Sequence, residues 1–261
     1  MAALAPAPGA AGRTALVTGA GNGLGRAIAL ALGRAGARLV LAGRTRASLA
    51  GTAGLLSGGR DAVVRVADVG DPGQVAALAE SLAAEPVSIL VNNAGIAGVV
   101  KPLTEIEPAE WDEVFRINVT GVYLMCRAFL PGMIAAGTGD VINIASVSGK
   151  RPLARRTPYT ASKMAVIGLT RTLAAEVGAS GVRVNSLSPG YVVGARMARN
   201  FRIESEATGQ PVEDVQARFA ARGALNRMIT EDEVGEAVLA MLALTAMTGA
   251  DLDLSAGMVA P

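Results

Sequence analysis

From Thr14 onward the chain alternates short, almost wholly apolar runs with helical stretches, and that alternation restricts the possible folds more than any other feature. Thr14–Thr18, Arg38–Ala42, Ala62–Ala67, Ser88–Val91, Asp140–Ala145, Val182–Leu187 and Asp251–Leu254 read as strands, with helices between them. Ile89-Leu-Val91 and Val141-Ile-Asn-Ile144 lack the in–out alternation of a half-exposed sheet, as expected for parallel strands covered on both faces. The pattern predicts an α/β fold in which a doubly wound parallel sheet of about seven strands carries helices on both faces. Ligands of such sheets bind beyond the carboxyl ends of the strands, so the useful residues are expected just after strands. At 261 residues the chain fits a single domain, spanning residues 13–261. Met1 to Gly12, rich in Ala, Pro and Gly, is expected to be a flexible tail, and it lacks the positive start and apolar stretch of a secretion signal.

Composition removes several chemistries. The chain has no histidine and a single cysteine, Cys126, so no internal disulfide and no metal site are expected. Cys126 reads as a small buried apolar residue, and such sparing cysteine use suits a reducing compartment, so a cytoplasmic location is expected. Basic and acidic residues nearly balance, at 24 and 22, aromatics are 3% of the chain, and no basic stripe carries stacking rings; nucleic acid is not an expected partner. The hydrophobic fraction is 51%, yet no apolar run approaches the roughly 20 residues of a bilayer span, so no membrane association is expected.

The first strand runs directly into Thr18-Gly-Ala-Gly-Asn-Gly-Leu-Gly25, and a helical pattern follows over Arg26–Ala35. Gly19, Gly21, Gly23 and Gly25 permit a tight turn and let backbone amides approach a pyrophosphate at the positive end of that helix. Thr18, Asn22 and Leu24 complete the candidate loop. Nineteen residues after Gly25, the second strand ends in Ala42-Gly43-Arg44-Thr45, where an acid would normally grip the ribose diol of NAD. Gly43 leaves room and Arg44 can pair with a 2′-phosphate, with Thr45 and Arg46 as helpers, which favours NADP(H). A solvated arginine at a strand end fits the same residues, so NAD(H) stays open.

Tyr159-Thr-Ala-Ser-Lys163 sets a phenol and an ammonium one helical turn apart on one face. Free tyrosine keeps its proton until about pH 10, so a tyrosine that exchanges protons near neutrality needs a neighbouring cation, and Lys163 stands where one is needed. With histidine absent, a tyrosine acid gains weight. Ser146 follows a strand and Tyr159 lies thirteen residues later, at the start of a helix introduced by Pro158, so both can reach one cavity.

With the glycine loop, Asp68-Val69, Asn92-Asn-Ala-Gly95, Ser146, Tyr159-x-x-x-Lys163 and Pro189-Gly190 in this order, the chain resembles the short-chain dehydrogenase/reductase family, its ketoreductase-like members included, over nearly its whole length. The resemblance implies a Rossmann-like fold and a role for each matching position. Asp68 and Val69 would hold the adenine, while Asn92, Asn93, Ala94 and Gly95 would line the cofactor channel and stabilise the central sheet. Asn118, in Arg116-Ile-Asn-Val-Thr-Gly121, matches an asparagine that kinks a helix and holds a water between the lysine and solvent. Ser146 would hydrogen-bond the substrate oxygen, Tyr159 would donate or accept the proton, and Lys163 would bind the nicotinamide ribose and support the tyrosine. Pro189, Gly190 and Val192 would be cofactor contacts. A homotetramer or homodimer is also implied.

Two stretches depart from the family pattern. The usual threonine after Pro189-Gly190 is missing from Tyr191-Val-Val-Gly194, and Leu252-Asp-Leu-Ser-Ala-Gly257 stands where Asp-Gly-Gly is common. Residues 191–228 hold a charged, helical insertion that the resemblance makes a substrate lid, and its many arginines read most simply as a solvated face. Arg155 and Arg156 lie nearer the expected active-site mouth and are better placed to read an acid group. The expected activity is NADP(H)-dependent interconversion of a ketone and a secondary alcohol on a small molecule. An NAD-linked alcohol dehydrogenase of the same fold and a non-catalytic dinucleotide-binding regulatory protein are the alternatives.

Overall fold

The structure, a computed structural model, describes residues 9–56 and 62–258. Its strands are β1 (Thr14–Thr18), β2 (Arg38–Gly43), β3 (Ala62–Val66), β4 (Val87–Asn92), β5 (Gly139–Ile144), β6 (Val182–Pro189), β7 (Val192–Val193), β8 (Ile229–Thr230) and β9 (Asp251–Leu254). The helices are α1 (Gly23–Arg34), α2 (Arg46–Ala53), α3 (Pro72–Glu80), α4 (Pro108–Phe115), α5 (Gly121–Ala136), α6 (Thr157–Val177), α7 (Ala195–Thr208), α8 (Val212–Ala220) and α9 (Glu231–Ala243). Seven strands pair in the order β3-β2-β1-β4-β5-β6-β9, all parallel, and β7 pairs with β8 apart from them. The strand order reverses between β1 and β4, and a crevice opens there at the carboxyl ends.

Alternate residues of each strand feed two cores, because successive side chains point to opposite faces. Leu16, Val40, Leu90 and Val141 pack with Val75 of α3, Met125 of α5 and Val166 of α6. Val17, Leu41, Val91 and Ile142 pack on the other face with Ile28 of α1, Leu49 of α2 and Val238 of α9. Local signals set the helix starts. Asp71 caps α3, accepting from Gln74 N at 3.0 Å, and Thr230 and Glu233 form a reciprocal capping box on α9.

One expectation is corrected. The tail expected through Gly12 is ordered from Gly9 within the described residues: Ala10 is fully buried in the α1/α9 core, Arg13 Nη1 donates to Gly9 O and Gly12 N to Gly36 O. Residues 1–8 lie outside the described residues. The helical stretch Pro108–Ala136 has an 18-residue window with a mean hydropathy of 1.5, long and apolar enough by composition for a bilayer span, yet the stretch carries Glu110, Asp112, Glu113, Arg116 and Arg127 and gives no clear span, in line with the expectation from the sequence. Its apolarity has a local cause, since Val114, Ile117, Val122, Met125, Phe129 and Met133 are buried in the domain core. The pair β7–β8 was not foreseen, being two residues long on each side.

Candidate active site

A cavity of about 590 Å³ runs along the carboxyl ends of the strands, from the loop after β1 to the first turn of α6. The β1–α1 loop forms one end. Gly19 has φ +65, and a Cβ on Gly25 would lie 2.2 Å from Gly19 O, so the first turn of α1 can approach the loop only with glycine at both positions. Gly21, Asn22, Gly23 and Leu24 line the cavity with them. The free amides at the start of α1 suit a pyrophosphate, and this cradle fits a dinucleotide.

Thr18, expected in that loop, does not face the cavity. Its buried hydroxyl accepts from Asn93 N (2.9 Å) and Ala94 N (3.0 Å) and donates to Val91 O (3.3 Å). Thr18 therefore ties the end of β1 to the end of β4 across the switch point. Asn93 completes the tie by donating from Nδ2 to Thr18 O at 2.9 Å, and it lines the cavity as expected. Asn92 points the opposite way, as strand parity requires, and Nδ2 donates to Asn143 Oδ1 at 2.9 Å. The expectation that Asn92 lines the channel is corrected: it stabilises the sheet, while Ala94 and Gly95 do line the cavity.

At the next wall Arg44, Thr45, Asp68 and Val69 line the cavity. Arg46, expected to help them, does not; it borders a separate depression with Arg65 and Gln74. Burial pushes the Asp68 carboxyl up, but the Gly70 N–H bond at 2.9 Å, the Arg116 guanidinium at 3.1 Å and the charge of Arg44 outweigh it, leaving the group below its ordinary value. Arg44 thus sits within electrostatic reach of Asp68, with an exposed guanidinium.

Ser146, Tyr159 and Lys163 line the far end. Ser146 Oγ accepts from Ser148 N at 3.2 Å, which leaves its hydroxyl proton to donate. Lys163 is buried, donates from Nζ to Ile144 O at 2.8 Å, and holds Nζ 5.8 Å from the Tyr159 ring centroid. Asn118 does not line the cavity; it lies behind the wall, in a π turn spanning Arg116–Thr120 between α4 and α5. Its amide reads both polar atoms of Ile96, accepting from N at 2.8 Å and donating to O at 2.9 Å, and also donates to Ser162 Oγ at 3.0 Å. Ser162 Oγ in turn donates to Tyr159 O at 2.7 Å, which pins the first turn of α6. A Cβ on Gly95 would stand 3.1 Å from Asn118 Oδ1 and 3.5 Å from Lys163 Nζ, so the bare glycine keeps a polar space open between them.

The loop after Ser146 is anchored to the sheet by Lys150, whose Nζ donates to Asp251 at 2.6 Å and to Asp253. Burial pulls the Lys150 ammonium down, but these two carboxylates outweigh it and raise it above its ordinary value. Pro189, Gly190, Tyr191, Val192 and Gly194 line the roof, with Met197 and Asn200 of α7. The segment from β7 to β8 has its own small core of Met197, Phe201, Val215 and Met228. Some of its arginines are engaged: Arg218 pairs with Glu204 inside the segment, Arg227 with Glu233 of α9, and Arg222 donates to Tyr191 Oη at 2.7 Å. The side chain of Arg196 lies outside the described residues. Arg155 faces solvent, whereas Arg156 lines the cavity. No cluster of metal-binding side chains occurs among the described residues.

Residues 13–206 match the family described as short chain dehydrogenase. The chain belongs to that family. It is an oxidoreductase acting between CH–OH and C=O groups with a nicotinamide dinucleotide. It is 37% identical over 252 residues to a cis-4-hydroxycyclohexanecarboxylate dehydrogenase of Sinomonas cyclohexanicum, covering 95% of this chain and 97% of that one. It is 38% identical over 260 residues to a ketoacyl reductase assigned to the granaticin polyketide synthase of Streptomyces violaceoruber, covering 96% and 95%. Among solved structures, L-sorbose reductase from Gluconobacter frateurii, complexed with NADPH and L-sorbose, superposes with a TM-score of 0.92 at 27% identity, over 97% of this chain and 98% of that one.

Proposed function

We propose that this short-chain dehydrogenase is an NADP(H)-dependent reductase of small-molecule ketones, with Tyr159 as the group that moves the proton. The observation that carries the reading is the sharing of one cavity by Ser146, Tyr159 and Lys163 with the glycine loop. When bound, the dinucleotide supplies the hydride. The backbone amides of Asn22 to Gly25 would hold its pyrophosphate, Asp68 and Val69 its adenine, and Pro189, Gly190 and Val192 its nicotinamide end. Ser146 Oγ–H holds and polarises the ketone oxygen, and Tyr159 Oη–H gives its proton to that oxygen as negative charge develops there. Lys163, fixed by Ile144 O, stabilises the phenolate left behind and binds the nicotinamide ribose. Asn118 positions Tyr159 through Ser162 and shapes the polar space that would pass a proton from Lys163 to solvent.

Preference for the phosphorylated cofactor rests on Arg44, an exposed guanidinium at the end of β2 with Gly43 leaving room beside it. The relatives named above act on secondary alcohols or ketones, which supports the same reaction here. Residues 13–261 work as one domain, with residues 191–228 as the substrate lid. The exposed Tyr123 of α5 and Met164 of α6 offer apolar surface for a homotetramer, and the lone buried Cys126 suits the cytoplasm.

Tyr159→Phe is expected to lower kcat by at least about 10³-fold while NADPH binding, followed by nucleotide fluorescence, changes less than about threefold. An unchanged kcat would remove Tyr159 from the chemistry. Steady-state comparison of the two cofactors is expected to give a kcat/KM at least about tenfold higher with NADPH; a higher value with NADH would refute the role given to Arg44.

A further inference from the structure

Two acids stand in the cavity wall among the described residues, Asp68 beside Arg44 and Arg116, and Glu231 on the other side of the glycine loop. The small pair β7–β8 puts Glu231 there. Its parallel register sets Val192 against Ile229 and Val193 against Thr230, so the next residues of each strand, Gly194 and Glu231, come side by side. Gly194 is extended, with φ 169, so its backbone accepts any residue and the glycine is there for space. A Cβ on it would stand 2.6 Å from Glu231 Oε1, and the side chain would have to turn away; without it, the half-buried carboxylate fits against the roof. The same oxygen lies 3.8 Å from where a Cβ of Gly23 would stand, in the loop given to the pyrophosphate.

A carboxylate only accepts hydrogen bonds, and a ligand filling the cavity strips water from the side that faces it, which favours a ligand group that donates. The pyrophosphate offers no donor and shares the sign of the charge. The adenine amine belongs at the Asp68 wall and the nicotinamide ribose at Lys163. The donor left is the carboxamide NH2 of the nicotinamide, whose end of the cofactor is given to Pro189, Gly190 and Val192. Tyr191, the only polar side chain in Tyr191–Gly194, is held toward the lid, accepting from Arg222 Nη1 at 2.7 Å with its ring edge-on to Phe219. We propose that Glu231 is a cofactor-binding residue that accepts from the nicotinamide carboxamide and so fixes the rotation of the ring. This rests on the placement of the nicotinamide end under Proposed function.

Calorimetric titration of three ligands tests it: NADP+, its 3-acetylpyridine analogue, which has a methyl group in place of the NH2, and 2′-phospho-ADP-ribose, which ends before the nicotinamide. The wild type is expected to bind NADP+ at least about tenfold more tightly than the analogue. Glu231→Ala is expected to shrink that preference below about threefold, and Glu231→Gln, which keeps an acceptor without the charge, to leave an intermediate one. The fragment is expected to respond in the opposite sense, binding Glu231→Ala at least about twofold more tightly because a like charge near the pyrophosphate is gone. NAD+, 3-acetylpyridine adenine dinucleotide and ADP-ribose form a parallel set in which the same ratios are expected, since Arg44 contributes equally within a set. Equal binding of the two dinucleotides by the wild type, an undiminished preference in Glu231→Ala, or an equal weakening of all three ligands overturns the assignment and leaves the dinucleotide site standing. Binding of no ligand of either set by the wild type overturns both.

Discussion

Gly25 illustrates how much of this site is decided atom by atom. The methyl group of an alanine there would sit 2.2 Å from Gly19 O, far inside contact distance, and Gly19 cannot yield because it is already in the left-handed region with φ +65. Gly25→Ala is therefore expected to weaken binding of the nicotinamide dinucleotide at least about 30-fold, some 2 kcal/mol, together with a lowered melting midpoint. Binding within threefold of wild type, by fluorescence titration, would mean that the loop has another way to close. The glycine positions were legible because a backbone constraint is local and spells itself in one residue type. Thr18 and Asn92 were misread for the complementary reason. Their side chains are as polar as those of true lining residues, and only strand parity and the positions of Asn93 and Asn143 turn them inward. Arg44 and Arg46 are separated in the same way, being two residues apart at the start of α2 yet on different walls.

The joint between α4 and α5 shows what an element adds. The resemblance led to a kink at Asn118, and the helix there loosens into a π turn that brings its amide to Ile96 and Ser162. The same turn starts with Arg116, which grips Glu113 at 2.6 Å and Asp68 at 3.1 Å and joins the end of α4 to the loop after β3. The Arg116 bond holds the Glu113 carboxyl below its ordinary value, and Asp68 is lowered despite its burial. A carboxyl lowered in the folded state adds stability above its unfolded value of about 4, and the contribution fades as pH falls through the folded value. Arg116→Met is thus expected to cost about 1 kcal/mol near neutrality, a modest figure because the pairs are partly exposed, and progressively less below about pH 4. Urea unfolding of both proteins from pH 7 to pH 3 checks this; an undiminished difference at pH 3 would assign the loss to packing instead. Elements with a strong periodicity were legible in the sequence, all seven strands of the main sheet among them. The two-residue strands β7 and β8 were not, because so short a pairing leaves no period to read.

Across the whole molecule, burial on both sheet faces governs reactivity as well as stability. Cys126 of α5 is enclosed between the helix and β4, with Asn92 Nδ2 at 3.5 Å, and burial pushes its thiol up to about 12. Native protein at pH 8 is expected to resist iodoacetamide, with a rate at least about 100-fold below that of the guanidinium-unfolded chain. A native rate within tenfold of the unfolded one would show that this core opens readily. The same enclosure explains why the hydropathy of Pro108–Ala136 imitates a bilayer span: a helix laid on a sheet and covered by neighbours has few faces that need to be polar. The sequence alone determined the doubly wound α/β architecture, the glycine loop and the pairing of Tyr159 with Lys163, because each depends on a period or spacing within one short stretch. Tertiary structure alone decided which polar residues face the cavity and which tie the sheet, and brought Arg156 rather than Arg155 beside Tyr159. Those outcomes depend on distances between segments remote in the chain, and no local pattern carries such distances.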